Sequence, residues 1–189
     1  MNNLKQSALS HLHERLDATF TAQHGWRIPE SFSSPEAEAA RVRESAGLSD
    51  LSYRPKYDAR VQPRDCWWRF SRDHYLVTGD PPLTEPQDAT DVTSVYTNFL
   101  LAGPRSGDIL GKLSSLNVSD EMLPNLACSQ ASVAHVHTIV LREDLGMIPA
   151  YHLLVSREYA ESVWESITHA GAEFRIVPFG LKALELLRS

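Results

Sequence analysis

The chain has 189 residues, 42% of them hydrophobic and 22% charged, with a formal net charge of −6. That is ordinary for one soluble globular domain with an appended arm, and the acidic balance argues against indiscriminate polyanion binding and against a polybasic membrane contact. No apolar run approaches the roughly 20 residues of a membrane span, no signal-peptide core opens the sequence, and two cysteines are too few for a disulfide scaffold, so a cytoplasmic protein is expected. Leu4, Ala8, Leu12, Leu16 and Phe20 recur every four residues and predict an amphipathic helix over 4–22, ended near Gly25. Ser34, Pro35 and Glu36 read as an N-cap, an N1 proline and a first-turn acid of a second helix that closes near Gly47. Residues 48–51 read as a tight connection, and Tyr53–Val61 as a strand interrupted by Pro55.

Residues 54–72 carry Arg54, Lys56, Arg60, Arg64, Arg69 and Arg72 around Trp67 and Trp68. Basic residues with aromatics can mark a nucleic-acid surface. Asp58, Asp65 and Asp73 dilute the run, and it reads as a strand with an inward tryptophan and solvated arginines; no nucleic-acid partner is expected. A short strand at 75–78 precedes a proline-bearing loop over 79–90.

The unit that organises the rest is the strand from Val95 to Ala102, broken by Gly103-Pro104. Pro104 is expected as the first helical residue, and Ile109, Leu110 and Leu113 form a helical stripe that folds back. A hairpin follows at 129–141 around Ala134-His135, then a strand at 151–155. A helix capped by Ser156 buries Tyr159, Val163, Trp164 and Ile167 and ends at Gly171; a strand at 174–177 and a helix from Leu181 finish the chain. From Val95 onward this is β-α-β-β-β-α-β: an α+β fold with a ferredoxin-like layer and helices on one sheet face. The expected division is a helical region over 1–52 packed on a core over 53–189.

Visible catalytic equipment is scarce. His11 and His13 point in different directions on a helix, and His135 and His137 lack the third ligand that zinc needs, so no metal site is expected. There is no glycine-rich phosphate cradle and no nucleophile elbow, and Cys66 and Cys128 read as core thiols.

Several segments, in order, resemble the folate-binding domain of the glycine cleavage T-protein (aminomethyltransferase) family. They are Gly25-Trp26-Arg27-Ile28-Pro29; the block from Arg41 through Ala46-Gly47-Leu48-Ser49-Asp50-Leu51-Ser52 to Lys56; Tyr75-Leu76-Val77; Leu100-Leu101-Ala102-Gly103-Pro104; and the closing stretch from Ala160 to Gly180-Leu181. The resemblance implies a folate-binding-domain-like fold and a tetrahydrofolate-dependent one-carbon transfer. This chain departs from the pattern at the positions that carry that chemistry. Arg64 falls where the family has its catalytic aspartate, leaving Asp65 as the nearest substitute acid. Arg142 and Tyr151 match the folate clamp, but Leu145 stands at the clamp tyrosine and His152 at the pterin-binding glutamate. The Gly-x-x-Ala-Arg-Asp segment becomes Lys182-Ala183-Leu184-Glu185, without its arginine. A carboxylate gives a pterin two directed hydrogen bonds of about 1–3 kcal/mol each, which a histidine cannot reproduce. Tyr96, Arg142, Tyr151 and His152 are therefore the expected folate-pocket remnant, converging on a shallow or self-filled cleft.

The chain is thus most similar to a short, degenerate member of the family resembling the sarcosine oxidase gamma subunit. That implies a non-catalytic subunit beside a larger oxidase or dehydrogenase-type partner, or a self-associating protein, in one-carbon or methylamine metabolism, with no cofactor of its own. The alternative is a protein that still binds tetrahydrofolate and transfers a one-carbon unit, with Asp65 as its acid.

Overall fold

The computed structural model describes residues 4–61 and 67–189. A two-residue strand β1 (Lys5–Gln6) and a short helix α1 (Ser10–Arg15) lead into a hairpin of β2 (Thr19–Gln23) and β3 (Trp26–Ser31). The helix expected over 4–22 is therefore only six residues long. Thr19, Phe20 and Thr21 favour a strand, and His24 (φ 51°) with Gly25 (φ 77°) makes the left-handed turn that a two-residue hairpin requires. Helix α2 (Pro35–Glu44) begins as its residues dictate, with the Ala37 N–H donating to Ser34 Oγ at 3.1 Å.

The stretch expected as a connection is strand β4 (Gly47–Asp50), inside the main sheet. Residues 4–52 thus supply four strands and two helices rather than a helical region laid on the core. Strands β5 (Lys56–Ala59), β6 (Trp67–Ser71), β7 (His74–Thr78) and β8 (Ala89–Asp91) form a separate four-stranded sheet in the order β6-β7-β5-β8.

The organising unit is β9 (Tyr96–Ala102) followed by α3 (Ser106–Leu113). Pro104 lies in the turn before the helix and not in its first position. Gly103 (φ 121°) is required there, because a Cβ would collide with the Ser45 carbonyl oxygen. Then come β10 (Cys128–Val133), β11 (Val136–Arg142) and β12 (Ala150–Ser156), a 3₁₀ turn at Arg157–Tyr159 ahead of α4 (Ala160–Ala170), a short β13 (Val177–Pro178) and α5 (Leu181–Arg188). Ser156 caps the 3₁₀ turn without a side-chain bond, and the last strand is only two residues long, because a second 3₁₀ turn ends at Arg175 with φ 53°.

The main sheet runs β10-β11-β12-β9-β4-β13, the expected β-α-β-β-β-α-β order with β4 inserted between its first and last strands. Alternation along β9 and β12 sends Phe99, Leu101, Leu153 and Val155 to one face, where α3 and α4 bury Ile109, Leu110, Val163, Trp164 and Ile167. The other face is also covered: Leu100 and Ala102 meet α2 and α5, and Ile139, Leu141 and Leu154 meet Trp68 and Leu76 of the second sheet. That double cover explains why β9 and β12 read as continuous apolar runs. Glu38 of α2, 2% exposed, ties the β3–α2 connection to the start of α5, accepting from the Phe32 and Ser33 N–H groups at 2.6 Å and from Gly180 N–H at 2.8 Å. Among the described residues, no helix is long and apolar enough to cross a membrane, and no three metal-ligating side chains converge.

Candidate functional site

Adjacent residues of a strand point to opposite faces, and this divides the expected remnant. Arg142 and Tyr151 are cross-strand partners on the face covered by α3 and α4, whereas His152 and Tyr96 project from the other face. The four do not meet in one cleft.

His152 is 3% exposed and lies among polar groups from three other segments. Its Nε2 is 3.1 Å from Glu143 Oε2, and its Nδ1 is 3.1 Å from the Asn98 side-chain amide. Burial pushes the imidazole's pKa down, with the Arg54 guanidinium adding to it. The hydrogen bond from His152 holds the Glu143 carboxyl down at about 2. A neutral ring with its proton on Nε2, donating to an ionised Glu143, meets both conditions. Nδ1 is then an acceptor, which calls for the Asn98 amide to be turned so that Nδ2 faces it in place of the Oδ1 that stands there at 3.1 Å.

Beside this pair lies Arg54, 2% exposed, with Nη2 2.7 Å from Asp80 Oδ1. Asp80 Oδ2 in turn meets Arg188 Nη1 at 2.7 Å, so the final helix closes the network. Two residues on, fully buried Lys56 donates to the Ser52 and Arg54 carbonyls at 3.0 and 2.8 Å, and burial lowers its pKa to about 7. Arg54 and Lys56 therefore leave the basic run of 54–72 for the interior. Nothing in the local pattern signals this, since a charged run ordinarily marks a solvated surface. The cue for the partners was His152 itself, a polar group in an apolar central strand that had to find hydrogen bonds.

Arg142 is equally occupied. It grips Asp144 through Nε and Nη2 at 3.1 Å each, and its Nη1 donates to Leu123 O at 2.8 Å and meets Asp120 at 2.6 Å. The bonds to Asp144 raise its pKa beyond that of a free guanidinium. Tyr151 is 3% exposed, and burial raises its phenol's pKa. Tyr96 lines a separate crevice of about 90 Å³. Asp65 lies outside the described residues. A further buried group, His13 Nε2 to Asp50 Oδ2 at 3.0 Å, ties α1 to β4. Burial alone would raise the Asp50 pKa, but bonds from His13 and Ser52 outweigh it and lower it.

Chemically, His152 is a neutral imidazole whose hydrogen-bonding groups are taken by the protein's own side chains.

The comparisons place this scaffold. The GCVT N-terminal domain matches residues 69–189. Aminomethyltransferases of Acidobacterium capsulatum and Streptomyces avermitilis are 24% and 26% identical over 98% and 99% of the chain, which spans only 62% and 63% of their length. Among solved structures, the glycine cleavage system aminomethyltransferase T of Bartonella henselae superposes with a TM-score of 0.78 at 16% identity, over 98% of this chain and 62% of that one. A chain of the heterotetrameric sarcosine oxidase of Corynebacterium sp. U-96, solved in complex with pyrrole 2-carboxylate, gives 0.64 at 14% identity, over 90% of this chain and 96% of that one. Both have the mixed α+β fold described above, and the chain belongs to the GCVT N-terminal domain family, the aminomethyltransferase family that its sequence resembles.

Proposed function

We propose that the protein is a non-catalytic, aminomethyltransferase-like subunit of a one-carbon or methylamine-metabolising complex, of the sarcosine oxidase gamma type, working beside a larger oxidase or dehydrogenase-type subunit. The observation that carries this is the self-filled site: His152 is buried against Glu143, Asn98 and Arg54 where a ligand-binding acid would stand. Opening it to a pterin would strand several buried polar groups at about 1–3 kcal/mol each, with no carboxylate gained in return. Arg142 has its donors committed to Asp144, Asp120 and Leu123.

Co-expression with oxidase-type reading frames adjacent on the genome, followed by size-exclusion chromatography with light scattering, tests the proposal. A stable complex containing this chain and a larger subunit is expected. A protein that elutes alone under all such pairings contradicts it.

A further inference from the structure

The crevice at Tyr96 is separate from the buried network and has a chemistry of its own. It opens between the β10–β11 hairpin and the second sheet and has a volume of about 90 Å³, the share of roughly three waters. Phe70 and Tyr96 contribute aromatic rings to its wall beside the aliphatic Leu76, Val92 and Ile139, while the Tyr75 ring packs against Trp67 on the far face of the second sheet. One wall carries Asp58, from the middle strand β5. Its Oδ2 is 3.0 Å from His74 Nε2, and His74 in turn packs edge-on against Phe70 with ring centroids 5.3 Å apart. Asp58 Oδ1 has no hydrogen bond among the described residues. Arg60 Nε approaches it only to 3.7 Å, and that side chain is 69% exposed. His137 and Gln130, both exposed, stand at the mouth.

We infer that this crevice is a binding site for a small alkylammonium ion, with Asp58 receiving its N–H and the rings of Phe70 and Tyr96 packing on its methyl groups. Aromatic faces attract a cation that has shed its water, and a carboxylate on the same wall supplies the opposite charge. A compact ion of about four non-hydrogen atoms matches the volume, counting one atom or slightly more per water share. An anion would face the Asp58 carboxylate, and a neutral molecule would gain neither attraction. The inference stands whether or not the protein is a subunit of a larger complex.

The test is an NMR titration of the full chain with trimethylammonium chloride at constant ionic strength, with sodium acetate and tert-butanol as anionic and neutral probes of similar size. Saturable shifts at His74, Tyr96 and His137 are expected with trimethylammonium alone. Asp58→Asn should weaken binding about tenfold or more, the effect of losing one close charge partner. Tyr96→Ala, at a half-exposed position, should also weaken it, and it carries the test if the Asp58 variant fails to fold. Equal saturation by tert-butanol, absence of saturable shifts, or undiminished affinity in the folded variants would each overturn the inference.

Discussion

His152 sets the pH dependence at the scale of single residues. Burial lowers its pKa, so the unfolded chain takes up a proton that the folded protein refuses. Stability therefore falls as pH drops below roughly 6.5, the unfolded histidine value. Glu143 acts later. Its pKa is held at about 2, so its share is present above the unfolded value near 4.5 and is lost as pH falls towards 2. His152→Gln removes the titration, and should flatten stability between about pH 6.5 and 5 and also shrink the more acidic loss, because the His152 hydrogen bond is the main support of the lowered Glu143 pKa. Urea unfolding at pH 7, 6 and 5 measures this; identical slopes in both proteins would show that His152 is not the group responsible. None of these partners could be read along the sequence. Arg54, Asn98 and Glu143 come from two loops and a strand, and only the tertiary fold brings them to His152, with Asp80 behind Arg54.

At the scale of elements, α4 is the helix whose packing is easiest to test. Trp164 is 2% exposed, with Phe99 and His13 edge-on to its ring at centroid distances of 5.8 and 5.2 Å. Trp164→Ala should cost about 3–5 kcal/mol by leaving a cavity against the sheet. An unchanged melting temperature would refute that packing. This helix was legible because Val163, Trp164 and Ile167 keep a 3.6-residue period, and the hairpin of β10 and β11 because two β-rich runs flank a tight turn. The N-terminus misled for a related reason: Leu4, Ala8, Leu12, Leu16 and Phe20 keep a helical spacing by coincidence across a helix, a turn and a strand. Leu16 is in fact 41% exposed. Strand β4 was missed because Gly47-Leu48-Ser49-Asp50 is short and has no alternation. Being buried on both faces between β9 and β13, it needs none. The turn at Gly103 belongs to this scale too. Gly103→Ala would force a side chain into a left-handed position against the Ser45 carbonyl, and should lower stability by more than about 1 kcal/mol. Thermal unfolding checks this, and a neutral effect would mean that the α2–β4 corner yields.

For the whole molecule, the family scaffold is kept while the buried cluster at His152 is filled by the protein's own side chains. The fold was readable because it rests on patterning spread over many residues, each tolerant of change. The state of the site was readable only in part. The resemblance implies that His152 replaces an acid, and the structure shows which groups surround that histidine. If the central claim holds, the protein offers no folate site even though its scaffold belongs to a family of aminomethyltransferases. Calorimetric titration with tetrahydrofolate, repeated on His152→Glu, tests it most directly. The account predicts no saturable heat for the native protein up to about millimolar ligand, corresponding to less than about 4 kcal/mol of binding. Saturable micromolar binding by the native chain would contradict it.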